Sequence, residues 1–509
     1  MRGRRTQHLT GGDEVSTKTT GILALFLMLT LIACDGGGGS SVLAGGIGGT
    51  GKSAGSISAF GSVFVNGTEF ETDNNTAITI NGQSKAEADL QVGFFVLVES
   101  DIGDTVANSI DFSESVRGTV EDDPVIRNPA TLSATMTVLG QTVVTNSLTS
   151  FDGLVLAQNP QAPNEIKQDD VVVVSGTRNA DGAIVASYVG PPSSVGLSDN
   201  TADLQVEGPA SNVTIGVAGK TLQIGGLSVD FIGAELPHGN PVDGQLTKAE
   251  GTLDPNGVLI ATKVETDVDL VPEPGDELEL EGFITEFTSI ADFKVGGQRV
   301  TASSATIEDG PLPADPINTP VEVEGPIDVD GVLQAERLEI KPAGDDNDIR
   351  IDADVDSVDV TNSSVTLLGV QMQVTVSSRL EDKSSAQARP FTLSDIHPGD
   401  RLQTRGFQGT SNNVTASLIE REDPDNRVIL QGPGTLNRPN NTIVTILRIP
   451  VPTTGGTTFM RNDTAITRQA FVDGISDGVT VVKSRWDDLA TIDPLNPPAP
   501  DELSIEEVN

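Results

Sequence analysis

Residues 46–53, Gly-Ile-Gly-Gly-Thr-Gly-Lys-Ser, satisfy G-x-x-x-x-G-K-S, the spacing with which a loop cradles phosphate. The same stretch also satisfies G-x-G-x-x-G through Gly46, Gly48 and Gly51, and G-x-S-x-G through Gly51, Ser53 and Gly55. One Gly-rich segment that fits three unrelated motifs reflects its composition, and a phosphate loop needs a buried strand before it and a helix after it. A strand pattern follows here instead, so nucleotide binding is not expected. Asp352, Asp354 and Asp356 imitate the start of a calcium loop, but Ser357 and Ser363 stand where an EF-hand needs Gly and Glu. Their alternation with Ile351, Ala353 and Val355 reads better as a strand with one wet face, and 344–348 (Gly-Asp-Asp-Asn-Asp) as a solvated connection. His238 and His397 each sit beside a proline, without a second His or Cys at ligand spacing. A hydroxyl nucleophile lacks a positioned base. Paired carboxylates could hydrolyse glycosides, yet the chain is only 4% aromatic, with Trp486 and Tyr188 each the one residue of its type, so little is available to stack sugars. The expected site list is accordingly short: no catalytic residues, no cofactor, no metal.

Cys34 is the only cysteine, which rules out an intramolecular disulfide. Before it runs an apolar stretch of thirteen residues, 21–33, preceded by Arg2, Arg4, Arg5 and Lys18. The stretch is too short for a bilayer, which takes about 20 residues, and has the form of a signal-peptide core. Leu31-Ile32-Ala33-Cys34 resembles the lipobox of bacterial lipoproteins, which implies cleavage before Cys34 and its acylation. Cys34 is therefore the expected lipidation site, and the lipid the expected membrane contact. The implied location is the bacterial cell envelope, facing periplasm or cell surface, with the choice of membrane open. Without residues 1–33 the chain holds 27 Lys+Arg against 71 Asp+Glu, a net charge near −44. Such a surface repels phosphate backbones, so nucleic acid is not an expected partner.

The elements that must hold any site are strands. Val, Ile and Thr alternate with polar residues between Gly, Asn-Gly and Asp-Gly, which predicts short strands and tight turns. A period of 74–81 residues is marked by Ala followed three positions later by an aliphatic residue: Ala107/Ile110, Ala186/Val189, Ala261/Val264, Ala335/Leu338 and Ala416/Ile419. Gly176, Gly251, Gly325 and Gly406 each precede such an Ala by ten residues. A second element, Gly-x-x-apolar, recurs at Gly67/Phe70, Gly140/Val143, Gly226/Val229, Gly297/Val300 and Gly369/Met372. In a sixth, degraded unit Arg448 replaces the Gly and the closing Ala is missing.

The expected architecture is all-β, a tandem array of small antiparallel OB-like barrels, because closure removes strand edges. The boundaries are a signal at 1–33, a flexible Gly-rich tether at 34–54, and units at 55–116, 117–196, 197–273, 274–344, 345–424 and 425–509. Six compact units in file would reach on the order of 150 Å, with exposed breaks near 345 and 425. The segments 55–82, 89–98, 207–236 and 251–265, after the lipobox and tether, resemble bacterial lipoproteins with tandem copies of domain of unknown function 5666. That resemblance implies OB-like barrels and an envelope location and brings no catalytic or ligand residues. Gly93 is followed by Phe94 where the family usually has an acidic residue, so the first unit's turn is expected to differ. The functional expectation is a non-enzymatic, lipid-anchored array for interaction or spacing, with a protein or glycan partner in the envelope. The alternative is a module binding glycan or divalent cations on barrel faces, and the remote one a hydrolase.

Overall fold

The computed structural model describes residues 51–506 except 61, 103–104, 123–132, 155–164, 198–203, 217–218, 267–271, 309, 342–348, 409–413, 462–463 and 489–491. Cys34, the apolar run, most of the tether and the expected break near 345 lie outside the described residues.

Among the described residues the strands build five five-stranded barrels and a sixth unit on the same plan with an additional strand. Barrel 2 shows the plan. Its strands are Val116–Thr119, Ala134–Val138, Gln141–Thr145, Val171–Arg178 and Ile184–Gly190. The first pairs with the fourth, the fourth with the fifth, the fifth in parallel with the third, and the third with the second. A bridge between Val120 and Val138 closes the ring. This order, 1-2-3-5-4-1, is that of an OB barrel. The parallel third-to-fifth pairing recurs as Val229↔Leu259 in barrel 3, Val300↔Leu333 in barrel 4 and Met372↔Val414 in barrel 5. In barrel 6 the third strand, Ile449–Pro452, pairs only with the second among the described residues, and an additional strand, Thr458–Arg461, lies parallel to the last strand, Glu502–Glu506, before a short helix, Arg468–Asp473.

The repeated sequence marks have a geometric cause. On a regular strand, side chains two apart share a face, yet Ala and the aliphatic residue three positions on are both buried: Ala186 with Val189, Ala261 with Val264, Ala416 with Ile419. A bulge in the fifth strand accommodates the extra residue. Gly176 faces Ala186 while Ser175 faces Tyr188, so Ser187 is unmatched; Thr262 and Ser417 stand likewise in barrels 3 and 5. The partner must be Gly because a Cβ at Gly176, Gly251 or Gly406 would lie 2.1, 2.2 and 2.2 Å from the carbonyl oxygen of Val185, Ile260 and Thr415. Barrel 6 pairs its last two strands without a register shift, which is why its closing Ala is missing. The Gly-x-x-apolar mark is the turn between second and third strands. Leu368 and Gly369 there have φ of +51° and +72°, the two left-handed positions of a type I′ turn. Arg448 adopts φ +73° at the same place in barrel 6.

The expectation of six barrels in file is corrected: the barrels join through their first strands. In barrels 2 and 3, Val116 and Arg117 pair antiparallel with Val206 and Gln205. In barrels 5 and 6, Arg350–Asp352 pair with Ile429–Gln431. Barrel 1 pairs with barrel 4, distant in sequence, as Lys52–Ala54 lie parallel to Leu278–Leu280. An open edge on the first half of each first strand explains the choice. That half pairs with the fourth strand on one side, and a second barrel satisfies the backbone groups on the other. Two boundaries shift with it: Lys52–Ala54 belong to the first strand Lys52–Phe60 rather than to the tether, and Val116 opens barrel 2. Barrels 2 and 3 share one apolar cluster, and barrels 5 and 6 another.

Contacts also cross between these pairs. Tyr188 of barrel 2 enters the core of barrel 1, edge-on to Phe94 at 4.8 Å, and Phe94 stacks on Phe112 at 3.8 Å. Phe60 of barrel 1 bridges to Phe391 of barrel 5, and the Arg389 guanidinium lies 3.5 Å from the centre of the Phe60 ring. Arg379 of barrel 5 donates to the carbonyls of Leu148 and Ser187 in barrel 2. Phe94 accounts for the departure at Gly93. Asp170, Asp276 and Asp400 close the matching turns by accepting the backbone N–H three residues back, whereas Phe94 contributes an aromatic ring to a shared core.

Candidate functional site

The phosphate-loop residues have structural partners. The Lys52 ammonium pairs with Asp276 at 2.9 Å, and the Ser53 hydroxyl donates to Glu279 at 2.8 Å, both across the seam of barrels 1 and 4. Residues 46–50 lie outside the described residues. The aspartates of 352–356 sit on the strand Ile349–Asp359, with Ile351, Ala353 and Val355 buried behind them, as the alternation implies. Their outward face is partly covered rather than wet: Asp352 is buried at the seam of barrels 5 and 6 and paired with Arg350. Asp354 faces Arg401 at 3.6 Å, and Asp356 accepts the Gly369 N–H. His238 and His397 are exposed and far apart in the chain, in barrels 3 and 5. Among the described residues no group of His, Cys, Asp and Glu is arranged to hold a metal ion.

Charge is concentrated at the seams. Arg337 on the strand Arg337–Ile340 reaches Glu322, Glu339 at 2.8 Å, Glu324 at 3.2 Å and Glu279 at 3.5 Å, and Lys341 meets Glu322 at 2.7 Å. Glu279 and Glu322 are each 1% exposed. Burial, with Glu322 beside it, pushes the Glu279 carboxyl well above the usual range; burial also raises Glu322, against the pull of Lys341. At the seam of barrels 2 and 3, burial raises the Glu114 carboxyl although Arg117 lies 3.4 Å away. Sequence reasoning missed these groups. The signal for them was present in strands such as Val-Glu-Val-Glu at 321–324, whose glutamates occupy the supposedly wet face.

A third cluster joins Glu381, Glu420 and Glu422 around Lys383, which lies 2.5 Å from Glu420 and 3.5 Å from Glu381. Burial, then Glu420, pushes the Glu422 carboxyl up to about 7 from 4.5. A carboxyl raised in the folded state holds its proton there more tightly than in the unfolded chain. Its contribution is therefore complete below pH 4.5 and lost as pH rises through about 7. Glu422→Gln should flatten the fall in thermal midpoint between pH 5 and pH 8 and raise the midpoint at the upper end. Parallel curves for the two proteins would show that Glu422 is not the group responsible.

One cavity, of about 270 Å³, opens where barrels 1 and 2 meet. Lys85 and Gln91 line it from barrel 1; Asp152 and Ser193 line it from barrel 2 and the connection after it. The Tyr188 hydroxyl donates to Asp152 at 3.2 Å, and burial, then Asp152, raises its pKa. No sequence motif announced this cavity, because its walls come from two barrels. Among the described residues no helix is long and apolar enough to cross a membrane.

A comparison with curated proteins finds no match. A comparison with family models matches residues 54–111, 117–190, 281–339 and 353–420 to one family, "Domain of unknown function (DUF5666)". The matches fall on barrels 1, 2, 4 and 5. Barrel 3, the source of much of the resemblance in sequence, lies outside them but has the same strand order. With four tandem matches over just over half of its length, the chain belongs to the DUF5666 family.

Proposed function

We propose that this chain is a lipid-anchored protein of the bacterial cell envelope, a non-enzymatic array of barrels that serves interaction or spacing. The observation that carries the reading is the joining of barrels through their first strands, with buried charge committed to those seams. Fused sheets and shared cores give a stiff body, which suits presentation of a surface to a protein or glycan partner. The net charge near −44 without residues 1–33 keeps that surface from nucleic acid and anionic headgroups. The anchor rests on the apolar run before Cys34 and on the motif that ends it.

Cys34→Ala should abolish metabolic labelling with fatty acid and release the protein from the membrane fraction. Unchanged labelling would remove the lipoprotein assignment. Capture from envelope extract should return the same partner with or without calcium; retention only with calcium would favour a cation-binding module.

A further inference from the structure

The geometry points to the cavity between barrels 1 and 2 as a binding site for a small zwitterion of amino-acid size, its carboxylate on Lys85 and its ammonium on Asp152. This goes beyond the interaction or spacing role and does not depend on the lipid anchor.

Two opposite charges face this cavity without meeting. Lys85 lines it from barrel 1, and among the described residues no carboxylate comes within ion-pairing distance of its ammonium. Asp152 lines it from barrel 2 and has the Tyr188 hydroxyl at 3.2 Å, with no cation at ion-pairing distance among the described residues. Elsewhere in this protein Arg337 closes such a gap with direct salt bridges. Here each charge keeps an unfilled side, and a ligand carrying both signs completes the two at once through charge-assisted hydrogen bonds.

Asp152 is held in place, and the Lys85 ammonium has room beside the connection after barrel 2. The Lys85 ammonium lies over Gly196, where a Cβ would stand 2.7 Å from it; Gly196 has φ +78° and leaves that space open. Asp152 is fixed from behind by Tyr188, itself anchored in the core of barrel 1, and its N–H donates to the Val189 carbonyl at 3.1 Å. Gln91 and Ser193 add polar groups to the lining, and the buried Ile80 and Val195 give an apolar wall for a short side chain. A volume of about 270 Å³ falls just below the range of about 300–1,000 Å³ for drug-sized ligands and suits a smaller one. With Asp89 also on its rim the cavity has one more carboxylate than cation, which favours a ligand with an ammonium over a simple anion. Sites of this type form preferentially where two domains meet, and this one exists only while Tyr188 docks barrel 2 on barrel 1.

The test is calorimetric titration of the full-length protein with L-alanine and with glycylglycine, against propionate, ethylamine and glucose. Saturable binding of at least one zwitterion is expected. Propionate and ethylamine, each lacking one charge of alanine, should bind weaker by about tenfold or more. Lys85→Gln and Asp152→Asn should each cost a similar factor, while Lys85→Arg should retain binding and all three variants should keep the parent's unfolding midpoint. No saturable heat from either zwitterion would overturn the proposal. So would glucose binding as well as alanine, or affinity unchanged by both charge-removing substitutions.

Discussion

Arg337→Met should destabilise the protein by about 3–5 kcal/mol, the cost of removing one partner from a buried ionic cluster. The guanidinium is 16% exposed and serves carboxylates on four strands: Glu279, Glu322 with Glu324, Glu339, and the exposed Glu308. Removing it leaves Glu279 and Glu322, each 1% exposed, with Lys341 still paired to Glu322. Two negative charges at a dry seam then repel, and the protein answers by protonating them. Because burial has already raised both carboxyls, the variant's stability should fall further as pH rises, and the deficit should be larger at pH 8 than at pH 5. Glu308, 47% exposed and 3.6 Å from the same guanidinium, is the control; Glu308→Gln should cost under about 1 kcal/mol, as exposed pairs do. Equilibrium urea unfolding at the two pH values measures this. An Arg337→Met deficit no larger than that of Glu308→Gln would show that the seam tolerates its glutamates without the cation.

Gly406→Ala should cost about 3 kcal/mol, the upper end for overpacking a closed site. The added Cβ would stand 2.2 Å from the Thr415 carbonyl oxygen and 3.1 Å from Met372 Cε. Met372 can move aside, but the carbonyl belongs to the backbone at the bulge around Ser417 and cannot yield without opening the hairpin. Gly257, at φ +79° with nothing near its Cβ position, provides the comparison. Gly257→Ala meets only the left-handed backbone penalty of about 1–2 kcal/mol. Hydrogen exchange should show the difference locally, with faster exchange along Arg401–Gln408 and Val414–Glu422 in the Gly406 variant. Equal costs at the two glycines would mean that the bulge relaxes and that the repeated Gly has another cause.

The sequence by itself determined what depends on neighbours along the chain. Alternation in residues such as Met372-Gln373-Val374 implies a half-buried strand, because side chains on a strand change face at every residue. The turn at Leu368-Gly369 was legible because positive φ favours glycine, and the closing Ala marks five of the six units. The all-β class followed from these local regularities, whereas the family came from the resemblance of whole segments such as 55–82 and 251–265, and the OB-like barrel from what that resemblance implies and from the need to close strand edges.

Only the tertiary structure decided which barrel meets which, and therefore what the charges do. Ser53 bonds Glu279 across 226 residues, and no periodicity reports a partner at that distance. Lys52 looked like part of a tether because its strand is completed by barrel 4. Asp352 looked solvated because the neighbouring first strand that covers it begins about 75 residues later. Lys85 and Asp152 are ordinary surface residues within their own barrels; docking of Tyr188 into barrel 1 sets them across one cavity. A strand edge can be completed by any strand of suitable register, so local sequence leaves the choice open, and packing of the whole chain makes it.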